Sequence, residues 1–182
     1  FHQPVCVLID TDTLKTLPNK DFISGLAEVI KYGLMADYVF FQWLEANFDK
    51  ILQKENDSLE YIIKVSCENK AKIVSEDEME HGRRALLNFG HTFGHAIEAW
   101  QQYSGLSHGE AVAVGMSIAA ALSLKLGLIA KSDYLRVISI LKIVGLPTQV
   151  PDKMKNTDFL DFMRRDKKNT DNKINLILLS SL

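Results

Sequence analysis

Apolar side chains recur at three- and four-residue steps along most of the chain, the spacing that places them on one face of an α-helix. Phe22, Leu26, Val29 and Ile30 show this spacing clearly, and Gly145 followed by a proline marks a helix end further along. The pattern predicts helices over residues 21–35, 37–48, 58–74, 88–100, 108–126, 132–144 and 158–165.

The two ends of the chain have a different pattern. Residues 5–10 form a short β-branched apolar run that ends in Asp10, and residues 173–179 repeat this character near the other end. A buried strand needs neighbours to complete its hydrogen bonds, and none is visible upstream. We therefore expect a mainly α, multi-helical domain with short strand fragments at its two ends. A start at Phe1 also suggests part of a larger protein.

Composition and charge narrow the range of partners. The chain has 182 residues, of which 47% are hydrophobic and 24% charged, as in one ordinary globular domain. A formal net charge of -2 gives no excess of cations for binding nucleic acid or an anionic membrane. The longest apolar stretch, residues 111–124, is interrupted by Gly115, Ser117 and Ser123 and is too short to span a bilayer. We expect a small molecule as the partner, and neither nucleic acid nor membrane.

The two cysteines, Cys6 and Cys67, have no C-x-x-C spacing and so predict neither a disulfide framework nor a thiolate zinc site. A reducing, cytoplasmic location fits this cysteine content best.

Histidines give the strongest chemical signal. His91 and His95 lie four residues apart, which brings both imidazoles to one face of a helix. Gly90 and Gly94 flank them, either for close approach of a ligand or for packing. His108 begins the most apolar helix, where the helix dipole favours the neutral imidazole that can bind a metal. A capping or surface role for these histidines remains the alternative.

A metal bound by imidazoles also needs a carboxylate, and Glu28 is the best candidate because it lies among apolar residues of a helix. Lys31, one turn later, is either its simple ion-pair partner or a group that acts on an anionic substrate. Glu98 follows His95 by three residues and can orient a metal ligand through a hydrogen bond. Glu110 can stabilise the first turn of its helix.

Cations form a second set of candidates. Lys70, Arg84 and the charged run 164–168 can be ordinary surface charge. If the helix of His91 extends back to Arg84, then Arg84 and Asn88 share a face with the histidines, an arrangement suited to a phosphate or carboxylate.

Three stretches, residues 25–33, 84–98 and 108–113, closely resemble the C-terminal half of the 3-dehydroquinate synthase family. Residues 1–4, 13–18 and 166–168 extend the match over essentially the whole chain. The resemblance implies an N-terminal α/β domain that binds NAD and a helical C-terminal domain that holds a divalent metal. On this basis residues 1–20 end the segment from the NAD domain, residues 21–182 form the helical domain, and the NAD-binding domain is absent from this chain.

The resemblance also implies roles for individual residues. The metal ligands, for Zn2+ or Co2+, are Glu28, His91 and His108. The catalytic residues are Lys31, His95 and Arg84. The substrate contacts are Lys70, Arg84, Asn88, His95 and one lysine of the pair Lys167 and Lys168. The contacts to NAD are Thr13, Leu14, Lys15 and Thr16.

The activity that the resemblance implies is the conversion of 3-deoxy-D-arabino-heptulosonate 7-phosphate to 3-dehydroquinate and phosphate, in the shikimate pathway. It combines NAD-dependent oxidation, phosphate elimination, reduction and an intramolecular aldol closure at a zinc site. The full-length enzyme is expected to be a homodimer, and this chain alone is expected to be inactive.

Two other enzyme classes and one non-catalytic class remain as alternatives. A related sugar-phosphate cyclase keeps the same architecture. A polyol dehydrogenase such as glycerol dehydrogenase also keeps it, but looks less similar at Lys31, Arg84 and Asn88. A helical interaction module with structural histidines is the non-catalytic alternative.

Overall fold

The computed structural model describes residues 4–77, 82–164 and 174–182, and these residues are mainly helical. A 3-10 helix (Arg83–Asn88) lies between the fourth and fifth α-helices. The α-helices are α1 (Thr13–Thr16), α2 (Asn19–Met35), α3 (Tyr38–Leu52), α4 (Asn56–Glu76), α5 (His91–Trp100), α6 (His108–Lys125), α7 (Lys131–Ile143) and α8 (Asn156–Arg164). The predicted helices are therefore confirmed with small changes at their ends, while α1 and the 3-10 helix had not been predicted.

The predicted strand fragments do not form in the described residues. Residues 5–10 form no regular element and are exposed to solvent, and no other described segment pairs with them. Near the other end, residues 174–182 lie across the helices, where the backbone N–H of Leu179 donates to Ser123 Oγ at 3.0 Å. An apolar β-branched run becomes a strand only beside a partner strand, and here the apolar side chains of the tail pack on helices instead.

Two helices, α2 and α6, form the centre of the fold. Helix α6 contacts α2, α5 and α7, and α2 also contacts α3 and α4. The main core between these helices contains large, fully buried side chains, among them Leu26, Phe40, Phe41, Leu44 and Ile140. A smaller apolar cluster, which includes Ile97 and Phe159, fixes α5 and α8 against α6. This packing holds the N-termini of α5 and α6 near the middle of α2.

Small residues bring α5 and α6 unusually close together. A Cβ atom added at Gly115 would lie 2.0 Å from the carbonyl oxygen of Gly90, so no larger residue fits there without movement of the backbone. Gly90 itself has φ 78°, a left-handed conformation that glycine adopts at little cost, and it precedes the first residue of α5. The prediction that Gly90 lies inside a helix is therefore wrong. Gly94 lies inside α5 and packs against the backbone of Val112, so the packing interpretation holds for this glycine.

Among the described residues, no helix has the length and apolar character needed to cross a bilayer.

Candidate metal centre and substrate site

Glu28 lies on α2, on the side that faces the start of α5 and α6. Its Oε2 atom accepts a hydrogen bond from Lys31 Nζ at 2.7 Å, and Lys31 also donates to the carbonyl oxygen of Leu87 at 2.8 Å. The Oε1 atom of Glu28 is buried, yet it accepts no hydrogen bond from the described residues. A buried carboxylate oxygen without a donor is costly, and a bound cation would remove that cost.

Two imidazoles face this oxygen. The Nε2 atom of His91 lies 3.4 Å from Glu28 Oε1, and the Nε2 atom of His108 lies 3.9 Å from it. Each histidine is the first residue of its helix, and Glu28 lies within α2. The three candidate ligands therefore come from three helices that are distant in sequence. The ligand atoms of these three residues lie within 4.8 Å of one another. Two imidazoles and one carboxylate are a donor set that suits zinc, so the residues present fit a divalent metal.

His91 is held in the orientation that such a site needs. Its Nδ1 atom lies 3.2 Å from the carbonyl oxygen of Phe89, which can only accept a hydrogen bond. The proton therefore belongs on Nδ1, and the lone pair of Nε2 faces Glu28.

The electrostatic surroundings keep His91 neutral. Burial, and then the nearby charge of Lys31, lower the pKa of His91 to about 4, and the charge of Glu28 opposes them only in part. At neutral pH the imidazole is thus unprotonated, which is the state that binds a metal.

His95 and Glu98 form a second group with His108, beside the first. The ring centroid of His95 lies 5.4 Å from that of His91 and 6.1 Å from that of His108. Ligand atoms of His95, Glu98 and His108 also lie within 4.8 Å of one another. Sequence spacing associated Glu98 with His95, and in the structure both carboxylate oxygens of Glu98 also face the Nδ1 atom of His108.

Arg84 and Asn88 do not continue the helix of His91. They belong to the separate 3-10 helix, which packs against α2 and α4, and Phe89 and Gly90 interrupt the chain before α5 begins. The conditional prediction of one continuous helix from Arg84 is therefore wrong, because the left-handed turn at Gly90 breaks it. The 3-10 helix that carries both residues also contains Leu87, whose carbonyl oxygen accepts a hydrogen bond from Lys31 of α2.

One carboxylate that the sequence interpretation missed fixes the start of this 3-10 helix. Asp77 Oδ2 accepts hydrogen bonds from the backbone N–H groups of Gly82 and Arg84, each at 2.8 Å.

Lys70 lies exposed on α4, while Lys167 and Lys168 lie outside the described residues.

The segment that was predicted to touch NAD forms the short, exposed helix α1. Lys54 Nζ donates to the carbonyl oxygens of Leu14 at 2.7 Å and Leu17 at 3.1 Å, which ties α1 to the end of α3. The hydroxyl of Thr13 donates to the carbonyl oxygen of Asp10 at 2.7 Å, so it stabilises the turn itself.

Polar contacts that join α6 to α2 were also missed. Ser24 Oγ accepts the backbone N–H of Gly109 at 3.1 Å, and the hydroxyl of Ser107 donates to it at 3.1 Å. Glu110 Oε2 accepts from the backbone N–H of Ser107 at 2.7 Å, which confirms the expected support of the first turn. The S-x-x-E pattern at residues 107–110 signals that cap, but no sequence pattern points to the pairing of Ser24 with α6.

Comparisons with known proteins agree with this architecture. A family model described as 3-dehydroquinate synthase C-terminal matches residues 25–169. The 3-dehydroquinate synthase of Methylococcus capsulatus is 53% identical over 182 residues, which are 100% of this chain and 51% of the relative. That of Saccharophagus degradans is 50% identical over 178 residues, or 98% of this chain and 49% of the relative. The chain thus spans about half the length of the curated relatives it matches.

Solved structures with the same fold are more distant in sequence. A 2-epi-5-epi-valiolone synthase from Streptomyces hygroscopicus, with NAD+ and Zn2+ bound, matches with a TM-score of 0.75 and 27% identity, over 86% of this chain and 42% of that one. A 2-deoxy-scyllo-inosose synthase complexed with carbaglucose-6-phosphate, NAD+ and Co2+ matches with a TM-score of 0.75 and 26% identity, over 94% of this chain and 48% of that one.

These findings confirm the resemblance seen in the sequence and do not favour a polyol dehydrogenase or a non-catalytic module. The chain belongs to the 3-dehydroquinate synthase C-terminal family.

Proposed function

We propose that this chain is the metal- and substrate-binding half of a 3-dehydroquinate synthase, which converts 3-deoxy-D-arabino-heptulosonate 7-phosphate to 3-dehydroquinate and phosphate. The observation that carries the proposal is the buried Oε1 atom of Glu28, to which none of the described residues donates a hydrogen bond and which faces the Nε2 atoms of two histidines. The 3-dehydroquinate synthases named above, which are 53% and 50% identical to this chain, support this choice of reaction.

The metal ligands in this proposal are Glu28, His91 and His108, and the metal is Zn2+ or Co2+. Three protein ligands leave further positions open, as in catalytic rather than structural zinc sites. When bound, the ion supplies Lewis acidity toward a hydroxyl or ketone oxygen of the substrate.

Lys31 places a positive charge beside these ligands and forms an ion pair with Glu28. Its side chain is 4% exposed, and its ammonium group is held by Glu28 Oε2 and by the carbonyl oxygen of Leu87. This ion pair orients the carboxylate so that Oε2 is occupied while Oε1 faces the histidines. We assign Lys31 this orienting role in addition to a contact with the substrate.

His95 is the residue to which we assign proton transfer. It is one helical turn after His91, lies beside both histidine ligands, and remains accessible to solvent. In the proposed reaction an imidazole nitrogen of His95 accepts a proton from a substrate hydroxyl and returns it in the later steps.

The anionic groups of the substrate bind along the 3-10 helix and α4. Asp77 anchors the start of the 3-10 helix that carries Arg84 and Asn88. A guanidinium group binds phosphate or carboxylate through two parallel hydrogen bonds, which supports this assignment for Arg84. Lys70 adds a further positive charge from α4. The prediction for Lys167 and Lys168 stays a prediction because these residues lie outside the described part of the chain.

NAD is the second cofactor of the proposal. As the family resemblance implies, residues Thr13–Thr16 contact its edge and an N-terminal α/β domain of the complete enzyme binds most of it. As the family resemblance implies, the complete enzyme is proposed to be a cytoplasmic homodimer, and this chain alone is proposed to be inactive.

A chimera tests the proposed activity. The C-terminal half of the Methylococcus capsulatus synthase is replaced by this chain, and phosphate release from the heptulosonate substrate is followed with NAD and zinc present. We expect turnover that is lost in His91→Ala. Lys70→Ala should raise KM, whereas Lys64→Ala, which removes another exposed lysine of α4, should leave KM unchanged. A folded chimera that binds zinc and NAD but releases no phosphate would overturn the proposal.

A further inference from the structure

We infer that Glu98 is a positioning residue of the proposed metal centre: its carboxylate holds the Nδ1 atom of His108, so that the Nε2 atom of the same ring faces Glu28. The inference rests on the proposed function, because His108 needs this orientation only if it is a ligand.

Both carboxylate oxygens of Glu98 lie within hydrogen-bonding distance of His108 Nδ1. His108 Nδ1 lies 3.2 Å from Oε1 and 3.3 Å from Oε2 of Glu98, so both carboxylate oxygens face one ring nitrogen. Since an ionised carboxylate only accepts hydrogen bonds, this geometry places the proton on Nδ1. The lone pair is then on Nε2, which lies 3.9 Å from Glu28 Oε1.

His108 needs such a partner more than His91 does. The side chain of His108 is 47% exposed, against 13% for His91, so little packing restrains its ring. Glu98 is itself only 13% exposed and so gives a sheltered, well-defined acceptor. The carbonyl oxygen of Phe89 does the same for Nδ1 of His91 at 3.2 Å. Each of the two imidazoles is thus held at Nδ1 and presents Nε2 to the same carboxylate oxygen.

The loop between α5 and α6 is built to keep Glu98 opposite His108. The backbone N–H of Tyr103 donates to the carbonyl oxygen of Glu98 at 2.9 Å, and Gln101 Oε1 accepts from the backbone N–H of Leu106 at 2.8 Å. Gln102 has φ 52° and Tyr103 has φ 58°, a left-handed conformation that residues with a Cβ seldom adopt. The loop turns the chain back on itself, so that residues ten apart in sequence face each other.

A competing role for Glu98 is direct metal binding, since its carboxylate lies near both His95 and His108. If the ion lay between Glu98 and the Nδ1 atom of His108, that nitrogen would have to be unprotonated, whereas a hydrogen bond to Glu98 places the proton there. The two roles therefore differ in the protonated nitrogen of His108 and in the number of metal ions bound per chain.

Histidine tautomers and zinc affinity test the inference on this chain. Long-range 1H–15N NMR of the metal-free protein at pH 7 reports which nitrogen of His108 carries the proton, and competition with a chromophoric chelator gives the Kd for zinc. We expect the Nδ1–H tautomer in the wild type and a mixture of tautomers in Glu98→Ala, with zinc affinity weakened about 10- to 100-fold. Glu98→Gln, which retains an acceptor oxygen, should recover part of the affinity.

Glu45→Ala is the matched control. Glu45 is a partly exposed glutamate in an ion pair with Arg136, and it belongs to neither group of candidate metal ligands. Its removal should lower Tm without changing zinc affinity or the tautomer of His108.

Several results would overturn the inference. One is zinc binding in both Glu98 variants that is as tight as in the wild type; another is an unchanged His108 tautomer in Glu98→Ala. A second zinc ion that is lost with Glu98 would make this residue a ligand instead. A wild-type chain that binds no zinc would refute the proposed metal centre, whereas the tautomer comparison would still decide whether Glu98 orients the ring.

Discussion

Acid should destabilise the metal-free protein through His91 in particular. The folded chain lowers the pKa of His91 from 6.5 to about 4, chiefly by burial and by the charge of Lys31. The unfolded chain has no such environment, so between these two values it binds a proton that the native state does not. The free energy of unfolding therefore rises with pH across this window and falls as the pH is lowered through it.

The size of the effect follows from the two pKa values. A tenfold change in proton affinity corresponds to about 1.4 kcal/mol, so the interval between 6.5 and about 4 gives at most about 3–4 kcal/mol. The side chain of His91 is 13% exposed, so solvent screens this effect only in part. Below about pH 4 the native state is protonated as well, and the contribution of His91 stops changing.

Urea unfolding of the zinc-free protein at pH 4, 5, 6 and 7 measures the effect, because titratable groups that do not interact with His91 contribute equally to wild type and variant. We expect His91→Gln to be less sensitive to acid than the wild type by about 2–3 kcal/mol between pH 7 and pH 4. Ser24→Ala is the control, since it removes a neutral contact between α2 and α6 and should shift every point equally. Parallel curves for wild type and His91→Gln would refute the reasoning.

Three further changes test the packing around the site. Gly115→Ala should lower the free energy of unfolding by about 2 kcal/mol or more, because the added Cβ would clash with the backbone at Gly90, just before α5. Gly25→Ala, which has open space around it, should raise the free energy of unfolding by about 0.5–1 kcal/mol. Equal effects of the two substitutions would contradict this account. Lys54→Met should speed amide hydrogen exchange in α1, and unchanged exchange would show that the lysine does not hold this helix. A double-mutant cycle between Arg136 and Glu45 should give a coupling of about 0.5–1 kcal/mol, and additive single mutants would show that the pair does not join α3 to α7.

Helices were predictable from the sequence because their apolar faces pack inside this chain. The three- and four-residue spacing of Phe22, Leu26 and Ile30 directly reports the buried face of α2. The run at residues 5–10 carries an equally clear apolar pattern, but a strand depends on a partner that local sequence does not describe. Its side chains are exposed in the structure, so the strand that the pattern predicted does not form among the described residues.

The proposed metal ligands could be found by residue type and spacing, whereas the residues around them could not. Histidines are few, and a glutamate within an apolar helical face is unusual, so Glu28, His91 and His108 stand out one by one. Glu98 and Lys54 look like ordinary surface charges, and only the turn after α5 and the end of α3 show what they contact. Contacts made across loops leave no periodic signal in the sequence.

The location of the zinc ion tests the central claim most directly. Anomalous diffraction at the zinc edge, from crystals of the zinc-loaded chain, shows the ion itself and distinguishes the two neighbouring groups of candidate ligands. We predict one peak about 2.0–2.2 Å from Glu28 Oε1 and from the Nε2 atoms of His91 and His108. A peak bound instead by His95 and Glu98, or no ordered zinc near α2, would contradict the account.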